Sequence, residues 1–554
     1  MGQNSSNTVS SSQSSTHFES ENDLLSWYDK KALKLVSTPE LVSYKGNIDG
    51  KPLDAALNRK ELMRVLRLQN ANEAVEGLLF NCVQTLANFP LIKDCYENVT
   101  YMGVLKSCVL LNKNRCLEYV QDKRYNHTKL VYISLALNKA VKEMSSLPNS
   151  NDSLDAPKVI ATFNNVAEEE LVVPAETMLE FLTLMLTMSK ATVIKNSRLD
   201  VNISEKWDSF KTCALSILRT MNTDILTSQD ALKNVISYTQ FQNVISSVCP
   251  NLLVPLECLM EHVLFLNRDL VDLEASKPLI PQSKLVTEPL LAQLATVWPR
   301  ELVFSRLQKL YVGRDSGFSM RSFQAKAFKW MAPSILLVQG SRIPDDQDYA
   351  KNKNQRYKKF LDEYPRLKDE DQHILPALSG KRKLLFAILI NEPWKVTNSE
   401  LFGDIKTTIV QLSPIQEVYK ASKPGNVYFN TLGGGIGIGS PQPIIKSSGV
   451  KFVPGNVSLT IDPNLEFAAF RNVGFGGSIA PSNTPTSEHK FLIQDIETWG
   501  CGGEKELEEQ MKNWEWEEAE AQRRQRINLK SVNDDRALLE LAGLVGQNQS
   551  GGSV

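Results

Sequence analysis

The chain has 554 residues, of which 42% are hydrophobic and 23% charged, an ordinary globular composition with room for more than one domain. Lys plus Arg number 62 and Asp plus Glu 63, so no overall field draws it to nucleic acid or anionic lipid. The chain holds five His and eight scattered Cys, with no C-x-x-C pair. That pattern fits reduced thiols packed as small apolar side chains, and neither a metal nor a cofactor is expected.

The chain opens Met1-Gly2-Gln3-Asn4-Ser5-Ser6, which matches the N-myristoylation pattern with Gly2 as acceptor and Ser6 at the favoured position. Mostly Ser, Asn, Gln and Thr follow, so residues 1–20 are expected to be a disordered, accessible tail. A single myristoyl chain holds a membrane with a partition constant of only about 10⁴ per molar. The first twenty residues contain no Cys, Lys or Arg, so a second lipid or a basic patch is not available there. A protein partner at the membrane is the remaining candidate.

Residues 21–285 carry apolar residues at helical spacing and are expected to form an all-α domain. In 73–89, Val75, Leu78, Leu79, Cys82, Val83 and Leu86 share a face, and Pro90 ends the run. Helices are also expected at 57–68, 101–120, 129–144, 174–189, 205–221, 230–248 and 254–270, with Pro174 in the first turn of its helix and a loop at 147–157. The most apolar run, Met178 to Met188, is short and holds Glu180, so it reads as a core helix. Lys45 to Gly50 resembles a calcium loop, but Lys45 and Ala56 occupy positions that need oxygen ligands. Cys249, Cys258 and His262 have no evident fourth partner for zinc.

The pattern changes after Pro289. Residues 302–311 read as helix and 313–317 as a turn. Ser319 caps a helix whose Phe323, Ala327, Trp330 and Met331 share a face. Ile335–Val338, Leu384–Ile390, Val427–Phe429, Val457–Ile461, Leu465–Phe470 and Phe491–Glu497 read as strands. Residues 341–383 form a charged insert of mixed sign, expected to be a partly helical surface excursion outside the core.

Four segments carry a family resemblance. Leu310-Tyr311-Val312-Gly313-Arg314-Asp315-Ser316-Gly317-Phe318-Ser319 resembles the opening of a TLDc domain. Glu392-Pro393-Trp394-Lys395-Val396 with Phe402-Gly403-Asp404, the glycine run Gly433 to Gly439, and the closing Phe491 to Gly500 resemble later blocks of that family, in the right order over about 290–503. The resemblance implies an α+β protein, with a TLDc β-sandwich of two antiparallel sheets at 286–503 behind the helical domain. It also implies binding to the soluble catalytic sector of the vacuolar-type proton ATPase, an influence on its assembly, and a link to oxidation resistance without an established reaction. With Gly2, this places the chain in the cytoplasm, peripheral on the cytosolic face of the vacuole membrane.

A regulatory adaptor without catalytic activity is the expected function; an oxidation-resistance protein with undefined redox activity is the alternative. The glycine run lacks both the G-x-G-x-x-G and the P-loop patterns. Asp495 and Glu497 lie two apart on a strand, on one side with Ile493 and Trp499, and are the candidate functional carboxylates. Such a pair serves acid–base catalysis, a docking surface, or loop amides that need acceptors. Cys501, between two glycines, is a candidate oxidisable thiol if exposed. Residues 504–554 are expected to be a helical tail. Its first helix, 504–530, is acidic first and basic last, in agreement with the helix dipole. Trp514 and Trp516 on it are candidate partner-binding residues. No nucleic acid or small-molecule substrate is expected.

Overall fold

The structure is a computed structural model. It describes residues 17–91, 99–136, 154–155, 159–160, 163, 171–189, 201–264, 283–304, 307–343, 354–365, 367, 382–447, 449–482, 486–502, 508–516 and 518–524. Gly2, the tail to residue 16 and the apolar cluster 537–545 lie outside the described residues.

The first half is helical. Helices α1 to α7 span Glu21–Lys34, Thr38–Asn47, Arg59–Val65, Glu73–Ala87, Tyr101–Leu111, Lys113–Val120 and His127–Ala136. Helices α8 to α11 span Ala175–Met188, Trp207–Met221, Tyr238–Ser247 and Val254–His262. Side-chain caps set many of the starts. Ser37 with Glu40, Asn58 with Glu61, and Ser237 with Gln240 each form a reciprocal capping box, which satisfies otherwise orphaned amides. The continuous helix expected over 101–120 is broken at Asn112, which leaves helical geometry and caps α6 through its side chain. Pro174 stands at the N-cap of α8, one position before the helix proper. Short strand pairs also occur, Leu68–Gln69 with Val201–Asn202 and Val172–Pro174 with Val235–Ser237; such brief pairs leave no readable period in the sequence.

After α12 (Glu288–Ala295) and the short α13 (Arg300–Phe304) the chain builds one antiparallel sheet of ten strands. They are β1 Gln308–Val312, β2 Ser334–Arg342, β3 Lys383–Ile390, β4 Thr408–Ser413, β5 Glu417–Lys420, β6 Val427–Asn430, β7 Gly435–Ile438, β8 Val457–Ile461, β9 Phe467–Asn472 and β10 Ser487–Gly500. The order is β5-β4-β3-β2-β10-β9-β8-β7-β6, with β1 also on β10. Residues 302–311 therefore split between α13 and β1. Strand pairing of Val312 with Glu497 and Tyr311 with Thr498 overrides the helical spacing.

The sheet folds over on itself. Bridges Phe402–Val427 and Ala421–Ile479 join its two wings, and Phe386, Ile409, Tyr419, Phe429, Ile438, Leu459 and Phe470 from both wings meet in one core. The expected sandwich is thus made by a continuous sheet whose halves share the long β10. A short α14 (Gly313–Ser316) and α15 (Met320–Ala327) plug one end. Phe323 packs between Tyr311 and Trp394, at centroid distances of 5.1 and 4.8 Å. The helix stops at Ala327, so Met331 leaves the expected apolar face and is 64% exposed.

The outer face of one wing is covered by the helical half. Ile335, Leu337, Ala387, Val410, Leu412 and Trp499 belong to the same buried cluster as the residues of α1 to α13. A buried polar node stitches the seam. Gln416 Nε2 donates to Thr296 Oγ1 at 3.0 Å and Cys249 Sγ at 3.1 Å, and its Oε1 accepts from Gln293 Nε2 at 2.8 Å. The charged insert departs from expectation. Its helix α16 (Gln355–Glu363) buries Tyr357, Phe360 and Leu361, with Tyr364 behind them, against Phe452, Phe467 and Ala469. Charge around the helix hid a three-residue apolar stripe at i, i+3, i+4.

Candidate functional site at the closing strand

Strand β10 is fourteen residues long and pairs with β9 at its start, β2 along most of its length and β1 at its end. The register with β2 shifts between Ile493 and Asp495, so Gln494 is the extra residue of a bulge. A bulge moves the following side chains onto the other face. Ile493 therefore faces the sandwich core with Phe491 and Ile496, while Asp495, Glu497 and Trp499 face outward to the helical half. This corrects the grouping of Ile493 with the two carboxylates.

Both carboxylates are buried, each 1% exposed. Glu497 Oε2 accepts from Ser283 Oγ at 2.8 Å and from Trp499 Nε1 at 2.9 Å, and its Oε1 accepts from the Leu285 amide at 3.3 Å. Asp495 pairs with Lys284 Nζ at 2.9 Å and with the Arg314 guanidinium, whose Nη2 lies 3.1 Å from Oδ2 and whose Nε meets Oδ1. Segment 283–285 enters α12, where Thr287 is the N-cap and Pro289 lies in the first turn. The pair thus fastens that entry to the sheet, and Arg314 adds α14 to the same knot. Three donors on Glu497 and the cations Lys284 and Arg314 on Asp495 occupy all four oxygens, so the arrangement serves attachment and supplies no unengaged acid–base pair. Ser283, Lys284 and Arg314 were not legible as partners; Lys284 and Arg314 lie 211 and 181 residues from Asp495 in the chain.

Cys501 is buried, 0% exposed, with its thiol donating to the Pro333 carbonyl at 3.4 Å. The candidate oxidisable thiol is therefore not exposed, because residue 501 continues the pairing of β10 with the β2 side, its amide donating to the Pro333 carbonyl at 2.8 Å. In the glycine run, Gly435–Ile438 is strand β7. A Cβ at Gly437 would stand 2.1 Å from Tyr428 Cε1, so close approach of β6 accounts for glycine there.

The helix 508–516 lies on the TLDc-like body. Gln510 Nε2 donates to the Lys329 carbonyl at 2.8 Å and its Oε1 accepts from the Met331 amide at 3.2 Å. Trp514 packs edge-on against Trp330 with centroids 5.7 Å apart, so its ring is engaged within the chain. Trp516 is 69% exposed and faces solvent. A cavity of about 560 Å³ lies elsewhere, in the helical half, between α4, α7 and α8, and its lining includes Glu73, Glu176 and Glu180.

Residues 279–502 match the TLDc domain. A protein of Kluyveromyces lactis called Restriction of telomere capping protein 5 is 49% identical, with 100% of both chains covered. The chain belongs to the TLDc family. Proteins of the same name from Saccharomyces cerevisiae S288c and Zygosaccharomyces rouxii are 48% and 47% identical, covering 100% and 98% of each chain respectively. The likeness to these TLDc proteins therefore runs through the helical half and the tail as well as the sheet.

Proposed function

We propose that this TLDc chain is a non-enzymatic regulatory adaptor. It binds the soluble catalytic sector of the vacuolar-type proton ATPase and influences its assembly. Myristoylation of Gly2 tethers it to the cytosolic face of the vacuole membrane. The observation that carries the reading is the commitment of Asp495 and Glu497 to the knot with Ser283, Lys284, Leu285 and Arg314. The pair that would otherwise be the acid–base candidate has a structural use, and the fastened body is left to act by binding. The TLDc membership supports the choice of host, and burial of Cys501 weighs against the redox alternative. Mixing purified full-length chain with detached catalytic sector and separating by size tests the proposal. Co-elution at micromolar concentration is expected; separate elution under all nucleotide conditions contradicts it.

A further inference from the structure

One end of the folded sheet carries an apolar and basic tip. Phe475 is 84% exposed, the most exposed large apolar side chain among the described residues. It sits in Gly474-Phe475-Gly476-Gly477, where Gly474 and Gly476 have φ of +107° and +113°, a region that favours glycine. The loop is tied in place. The Val473 amide donates to the Asn456 carbonyl at 2.8 Å, Asn456 Nδ2 donates to the Phe475 carbonyl, and the Ser422 amide donates to the Ser478 carbonyl at 2.9 Å. The ring is thus held outward by an ordered loop.

The same network gathers charge around it. The Ala480 amide donates to the Lys420 carbonyl at 2.9 Å and the Ala421 amide to the Thr407 carbonyl at 3.0 Å. Lys406, Lys420 and Lys423, all exposed, and Ile405, 64% exposed, therefore lie at this end. The neighbouring Asp404 is engaged by Asn391 Nδ2 at 2.9 Å and the Lys406 amide at 3.0 Å.

The geometry points to an anionic lipid surface as the ligand of this tip. Phe475 and Ile405 enter the boundary between headgroups and acyl chains, and the three ammonium groups meet the lipid phosphates and carboxylates. An apolar tip ringed by amines complements a charged interface with a greasy layer beneath it. The inference rests on the membrane placement proposed above and completes it. A lone acyl chain needs a second hold, and residues 1–20 contain no Lys or Arg, so a basic contribution has to come from elsewhere in the chain; Lys406, Lys420 and Lys423 offer one beside an exposed apolar side chain.

The test uses full-length chain carrying Gly2→Ala, which removes the acyl site, and vesicles of phosphatidylcholine with or without phosphatidylserine. Co-sedimentation with the anionic vesicles, weakened by salt, is expected. Phe475→Ser, and separately the triple change Lys406→Gln, Lys420→Gln and Lys423→Gln, should each lower it by at least about tenfold with unchanged circular dichroism and melting. No binding to anionic vesicles, or equal binding by the variants, overturns the assignment. Loss of ATPase capture by the variants with intact vesicle binding also overturns it, by making the tip a protein-docking surface. The vesicle assay contains no ATPase, so failure of the host proposal leaves its outcome independent.

Discussion

Glu497 gathers two side-chain donors and a backbone amide, and its loss would leave them buried and unpaired. Glu497→Gln keeps the shape but replaces one acceptor oxygen with a donor, so it is expected to cost about 1–3 kcal/mol, read from the shift of a denaturant midpoint. A larger effect on partner binding than on stability would instead make Glu497 a contact residue. Glu417 offers a pH test. Burial raises its carboxyl to about 7, from an ordinary value of 4.5. The folded chain thus keeps a proton that the unfolded chain releases between these values, so this contribution favours folding at acid pH and is lost as pH rises through 7. Glu417→Gln should therefore melt close to wild type near pH 5 and gain on it toward pH 8. The ceiling is on the order of 3 kcal/mol, and a melting difference that does not change with pH contradicts the assignment. At this scale the sequence reveals residue types and spacing. The continuation of the β10–β2 pairing to Pro333, which buries Cys501, is a contact between distant segments with no local signal.

Among the elements, the apolar runs of β2, β3, β8 and β9 were legible because each strand buries its side chains almost continuously. Strand β7 was hidden by its glycines, and β4 and β5 by polar residues such as Gln411 and Glu417 that are nonetheless buried. The parity of β10 was readable only as far as its bulge, because Gln494 is extra solely in relation to β2. Helix within the insert was expected, but its burial was hidden: only Tyr357, Phe360 and Leu361 face inward among the nine residues of α16. Phe360 touches Phe452 and Phe467, each at 5.9 Å between centroids. Phe360→Ala is expected to cost about 3–5 kcal/mol. Protease cleavage near α16 in native conditions should accelerate with it; an unchanged cleavage rate would return the helix to the surface.

For the whole molecule, the decisive feature is that the helical half and the outer face of one sheet wing bury a common cluster. Gln416, Gln293, Thr296 and Cys249 form a hydrogen-bonded seam within it. Composition and periodicity foretold a helical half followed by a sheet, but not that they share a core, since contacts between distant segments have no sequence period. In the proposed adaptor, this joined body is the part that meets the host, with Gly2 as the proposed acyl site and the Phe475 tip on the sheet. Affinity capture from cells, comparing wild-type and Gly2→Ala chains, tests this picture of a tethered adaptor. Catalytic-sector subunits of the proton ATPase should accompany the wild-type chain, and the Gly2→Ala chain should be depleted from the membrane fraction. Capture that yields no ATPase subunits, or native protein whose Gly2 carries no acyl group, would contradict it.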